Sequence, residues 1–281
     1  MEFPWELGPA DGRHLLREKG GPNDGEPKHI VVLSTIGAQR RGMLGRRAHT
    51  RDTSAQPATV PIARVTVIDP VSLAAESQAR AWLKELDPER ETEAAASVVN
   101  RVLFAHRIAG ASPHIHEISP AQALVIRAGY GEGEQVADGL WTSARELVLS
   151  RKRAGRRAMA LRPQERLAVL LSGRGEALIC EELTLRARLD LDQGREALAA
   201  IDLERAYAAA LVELSGEKRE DLRARIEELS KLRPGVEMAA QAAISPDGKP
   251  EDVDEPVVRH GLERLEAALR ARTATGFSKA S

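Results

Sequence analysis

Few residues in this 281-residue chain could do chemistry, and the glycines of RAGYGEGEQVADG (127–139) are the most prominent. Gly129, Gly131, Gly133 and Gly139 follow the apolar run ALVI (123–126). Glycines placed there suit a loop whose backbone N–H groups cradle a phosphate. The spacing lacks the later glycine that lets a helix pack on a strand, and no Lys-Ser/Thr pair follows. Neither a dinucleotide fingerprint nor a P-loop is present. Glu132 and Glu134 would also repel an anion, by about 1 kcal/mol at ~4 Å in water and by several in a dry site. Residues 123–128 can be written as helix or as strand. The reading favoured by Ser119-Pro120 is a helix closed at Gly129 or Gly131, a turn, and a new helix capped by Ser143 with Glu146.

A small-ligand or enzyme site, an alternative reading, would lie near residues 106–141, with His106, Arg127, Tyr130 and Glu134 as its candidates. His106 falls on the apolar stripe of a helix and is expected to be a core histidine bonded to a carbonyl or to a neighbour such as Asn100. His114 and His116 are two apart and in a strand could share a metal. Pro113 and the nearby Ser and Gly make that stretch a loop, and no third ligand is identifiable. Cys180 lies beside Glu181 and Glu182, whose charge raises a thiol pKa, so it reads as a small core residue. Glu181, Glu182, Asp190 and Asp192 spread around a helix axis and suit i,i+4 pairing with Arg186 and Arg188. No catalytic residue, metal-ligand set or cofactor motif emerges.

Two windows are basic and free of acid. One holds Arg40, Arg41, Arg46, Arg47 and Arg51; the other holds Arg151, Lys152, Arg153, Arg156, Arg157 and Arg162. RKRAGRR could meet nucleic-acid phosphates or an acidic partner. The overall charge of −1 speaks against a general polyanion binder, and neither window interleaves aromatics that would stack on bases. Solvated loops and an anion-binding patch both remain open.

These residues must be positioned by elements, and the pattern of elements is legible. With 42% apolar, 30% charged and only 3% aromatic residues, the chain is globular, with a core of Leu, Val, Ile and Ala. GRHLLRE (12–18) and KHIVVLSTIG (28–37) form a hairpin with a long loop, and VPIARVTVIDP (60–70) a third strand. The polar, Arg-rich stretch 38–58 reads as a flexible linker or a disordered arm. After Asp69 the pattern turns helical. Asp69-Pro70, Asp87-Pro88, Ser119-Pro120 and Asp254 or Glu255 before Pro256 each place a capping oxygen before a proline at the first helical position. Leu203, Tyr207, Ala210, Leu211 and Leu214 form one helical stripe, Leu222, Ile226 and Leu229 another, and Val258, Leu262, Leu265 and Leu269 a third. Helices are expected at roughly 176–192, 195–214 and 217–232.

The order of GRHLLRE, HIVVLSTIGAQRRGMLGRR, RVTVIDP, the glycine segment and ALRPQERLA resembles a set of uncharacterised actinobacterial proteins over most of the chain. That resemblance implies a bacterial protein kept as a unit and carries over no activity, ligand or site residue.

The expected fold is mainly α (α+β), a helical bundle with a small N-terminal β-hairpin or three-strand element. The expected organisation is a β element at 1–68 and a helical domain at 69–272. The latter comprises a first part (69–160), a three-helix segment (161–233) and a C-terminal helix (253–272), before a disordered tail at 273–281. No span approaches the ~20 apolar residues that cross a bilayer. The N-terminus has no signal-like pattern, and a cytoplasmic location is expected. The leading functional expectation is a non-catalytic helical interaction or scaffold protein, meeting a protein partner or itself through amphipathic helices.

Overall fold

HIVVLSTI and IARVTVI are rich in β-branched residues, which fit a pleated, half-buried surface, and they form the centre of a sheet. In the computed structural model, which describes residues 1–17, 27–37, 60–72, 75–149, 163–245 and 253–274, the strands are β1 (Glu2–Phe3), β2 (Gly12–Leu16), β3 (His29–Ile36) and β4 (Ile62–Ile68). All pairs are antiparallel and the order is β1-β4-β3-β2. The hairpin and third strand match the expectation; β1 adds a strand too short to show periodicity. One face of the sheet carries Phe3, Val31, Leu33 and Val65.

Two helices follow, α1 (Glu76–Glu85) and α2 (Pro88–Ala109). Asp87 caps α2 as expected, its Oδ1 accepting the N–H groups of Glu89 and Arg90 at 2.9 and 3.3 Å. Asp69 caps nothing. Residues 69–72 carry no regular structure, α1 starts at Glu76, and the Asp69 carboxylate bonds His29 instead. Val98, Val99, Val102 and Leu103 of α2 cover the sheet face. A small sheet needs such cover to be stable. The chain forms two compact units, Met1–Ser150 and Arg151–Ser281.

The segment after Ser119 departs furthest from expectation. Ser119 and Gln122 do form a capping box, but it serves a single 3₁₀ turn, Pro120–Gln122. The chain then extends into β5 (Arg127–Tyr130), which pairs antiparallel with β6 (Ser143–Glu146). Ser143 and Glu146 therefore sit in a strand, not in a helix cap, and Gly129 closes no helix. Pairing puts Ile126 and Leu147 against Leu83 of α1 and Leu86 just after it, a burial that local capping propensity does not match.

The second unit contains α3 (Pro163–Leu171), α4 (Ile179–Asp192), α5 (Glu196–Gly216), α6 (Glu220–Ala243) and α7 (Glu255–Ala274). Asp254 caps α7 through the Val257 N–H at 3.2 Å. The stripes foreseen on α5, α6 and α7 meet one another: Leu203, Tyr207, Leu214, Leu222, Leu229 and Leu262 are all buried. The segments expected at 161–233 and 253–272 thus share one core. Helix α6 outruns its expected end at 232 and passes through Pro234, which removes a ladder bond at a cost of about 3 kcal/mol. Burial of Val236, Ala239 and Ala240 beyond the proline offsets that cost. Helix α7 likewise runs past residue 272, with Thr273 buried and its Oγ1 donating to the Leu269 carbonyl.

Candidate functional site

The first unit encloses a cleft of about 860 Å³. It opens beside β1. Beside β1, the Val65 N–H donates to the Met1 carbonyl at 2.8 Å. On its other side, Glu2 donates to the Val125 carbonyl (2.9 Å) and accepts from the Leu124 N–H (2.8 Å). β1 therefore separates β4 from Leu124 and Val125 by the width of one strand. The cleft adjoins Met1 and Glu2. Val65–Asp69 line one wall and Val125–Gly131 the other.

In an antiparallel ladder successive residues turn their N–H and C=O groups to opposite sides. Val65 bonds outward to β1, so Thr66 and Ile68 serve β3 and the backbone groups of Val67 face the cleft. On the far wall, Ile126 accepts from the Leu147 N–H at 2.8 Å, so the even residues of β5 serve β6. Arg127 and Gly129 then turn their backbone groups into the cleft. Ala79 and Trp82 of α1 and Ala95 and Val98 of α2 line it as well, and so do Val136, Gly139 and Trp141 from the loop between β5 and β6.

That loop explains the glycines. A Cβ on Gly129 would stand 2.6 Å from both Trp141 Cε3 and the Ser143 carbonyl oxygen. Gly129 is thus what lets the indole lie on the strand, while Trp141 Nε1 donates to the Val136 carbonyl at 3.2 Å. Gly139 has a φ of +81°, a left-handed turn in which L side chains are strained. The segment is a backbone device for folding a loop over a strand, a role different from both the phosphate loop and the helix end.

Charge gathers at the β1 end. Glu2 Oε1 accepts from Arg64 Nη2 at 3.0 Å and Nε at 3.2 Å, and from Arg127 Nη1 at 3.4 Å. Two guanidiniums share one carboxylate beside Met1, so Glu2 matches only one of their two positive charges. At the other end of β4, His29 Nδ1 and Asp69 Oδ1 are 2.5 Å apart, and both side chains line the cleft.

The four candidates from the sequence separate here. Arg127 and Tyr130 line the cleft; His106 and Glu134 do not. The Tyr130 hydroxyl donates to Glu76 at 3.2 Å, and Arg80 and Tyr130 together hold the Glu76 carboxyl below its usual range. Glu134 pairs with Arg13 at 2.8 Å. His106 is half-buried beside Gly8, and Asn100 is not its partner. Asn100 instead clamps Ile118, its Oδ1 accepting the Ile118 N–H at 2.8 Å and its Nδ2 donating to the Ile118 carbonyl at 3.0 Å. Glu2, Arg64 and the His29–Asp69 pair were missed, since only the strand register brings them to one place. His114 and His116 are exposed, and among the described residues no group of three metal-ligating side chains gathers. Cys180 is fully buried, and burial, with Glu213 alongside, pushes its thiol far up. Glu182–Arg186 and Arg188–Asp192 form the expected i,i+4 pairs. The Arg-rich groups Arg40–Arg51 and Arg151–Arg162, with Lys152, lie outside the described residues.

No described helix is long and apolar enough to cross a membrane. Comparison with protein-family models, curated proteins and solved structures returns no match to the chain.

Proposed function

We propose that the protein is a non-catalytic recognition protein whose binding surface is the cleft of the first unit. The observation that carries this reading is the pairing of an apolar floor with a surplus guanidinium. Pockets that bind are mostly apolar, with a few placed polar groups that fix orientation. Arg64 and Arg127 supply those groups and Ala79, Trp82, Ala95 and Val98 the apolar surface. The amphipathic stripes of α5, α6 and α7 are spent on their own core, so the interaction reading moves from the helices to the cleft. Selection of random linear peptides on the full chain tests it. Binders are expected to lose at least about tenfold in affinity for Ala94→Trp, a change on an exposed α2 position that lines the cleft. Binders indifferent to that change would place recognition elsewhere.

The His29–Asp69 pair favours a second reading, acid–base chemistry. A histidine oriented through Nδ1 keeps Nε2 for a proton. Loss of a hydrolytic or isomerase activity in His29→Gln, with cleft binding intact, would support it; binding without turnover in the wild type counts against it.

A further inference from the structure

Resting on the cleft as the binding surface, we infer that its occupant is an extended peptide that adds as a strand between β4 and β5, antiparallel to both and in line with β1. β1 is the template. It pairs antiparallel with β4 and bridges antiparallel to Val125, so β4 and the segment through Val125 run parallel to each other with one strand between them at β1. The backbone groups that ladder alternation turns toward the cleft continue that arrangement in register. A strand following the line of β1 would bond first to Arg127 on one wall, next to Val67 on the other, then to Gly129. Alternate residues of a single strand present their N–H and C=O groups to opposite sides, as this order requires. Main-chain bonds of this kind give affinity in strand addition, and side-chain pockets give specificity. Three residues of β4, Thr66–Ile68, lie beyond the β1 pairing, a length of about 10 Å at ~3.3 Å per residue.

The side-chain pattern follows from the same register. Glu2 faces Arg64 and Arg127, while Phe3 enters the core formed with α2. Residues of the occupant on the Glu2 side would face Arg127, Thr66 and then Trp141. Those on the Phe3 side would face Ala79, Ala95 and Val98. The matching peptide carries an acid nearest Arg127, an apolar residue before it, and no acid at the far end, where Asp69 and Glu91 line the cleft.

The test uses acetyl-Thr-Val-Thr-Val-Glu-amide and the ¹⁵N-labelled full chain, read by amide hydrogen exchange. At a peptide concentration of about 1 mM, exchange at Val67, Arg127 and Gly129 is expected to slow about tenfold, because amides taken into a ladder exchange only on opening. Glutamine in place of the peptide's glutamate should weaken binding about fivefold, the loss of one partly exposed ion pair. N-methylation of the central residues should abolish protection. Binding that shifts the Trp82 and Trp141 indoles but leaves the three amides unprotected overturns strand addition and leaves the cleft reading standing. Absence of any shift from a selected cleft binder and from this peptide alike overturns both.

Discussion

Arg64 and Arg127 belong to strands on opposite sides of β1 and reach the same oxygen of Glu2. One carboxylate on a two-residue strand thus ties together the two walls that part beyond it. Glu2→Ala removes the tie and leaves two half-exposed guanidiniums facing each other. A loss of about 1 kcal/mol is expected, discounted for solvent screening, and urea unfolding followed at the first unit measures it.

Gly129 and Trp141 should be intolerant of added volume. A side chain at 129 collides with an indole and with the Ser143 backbone at 2.6 Å, and the backbone cannot yield. Gly129→Val is expected to cost about 1–3 kcal/mol, as overpacking does, and to lower the thermal midpoint. Gly133→Ala, where nothing stands within 4 Å but φ is +69°, should cost less.

Asn100 satisfies both backbone groups of Ile118 and is almost fully buried. Asn100→Ala orphans a buried N–H and a buried C=O at once. Each costs about 1–3 kcal/mol, so this should be among the most damaging single changes in the first unit. Chemical denaturation provides the measure.

In the second unit Glu213 of α5 caps α4 from outside, accepting the N–H groups of Ile179 and Cys180 at 2.9 and 3.0 Å. Burial works to raise its pKa, but those bonds, the Cys180 thiol and Arg272 outweigh burial and hold the carboxyl below its ordinary 4.5. A depressed folded value contributes stability that is present above the unfolded pKa and is lost as pH falls through the folded one. Glu213→Gln should therefore be less stable than wild type at neutral pH, by roughly the 1 kcal/mol of a lost cap. The difference should shrink below pH ~4.5 as the wild-type carboxyl protonates. Urea midpoints of both proteins from neutral to acid pH measure the gap; a constant gap would contradict the assignment.

What could be read from the sequence follows physical range. The hairpin at 12–37, the strand at 62–68, the Asp87 and Asp254 caps and the buried stripes of α5 to α7 depend on residues within a few positions of one another, where periodicity and capping are visible. β5 and β6 were hidden because Ser119-Pro120 and Ser143 with Glu146 carry true capping chemistry, and only contact with Leu83 and Leu86 overrules it. Helix α6 outlasts Pro234 for the same reason, since the burial that offsets the proline comes from other helices. The cleft depends on Glu2 meeting Arg64 and Arg127, 62 and 125 positions away, which no local pattern encodes.

The central claim is that recognition happens in the cleft of the first unit, and the chain's three tryptophans provide the most direct reporter. Trp82 and Trp141 line the cleft, whereas Trp5 packs near Phe3 outside it, at a ring distance of 5.5 Å. In ¹H–¹⁵N spectra of the full chain titrated with a selected peptide, the indole signals of Trp82 and Trp141 should move together to saturation while that of Trp5 stays in place. Saturable binding that leaves Trp82 and Trp141 unmoved would contradict the account.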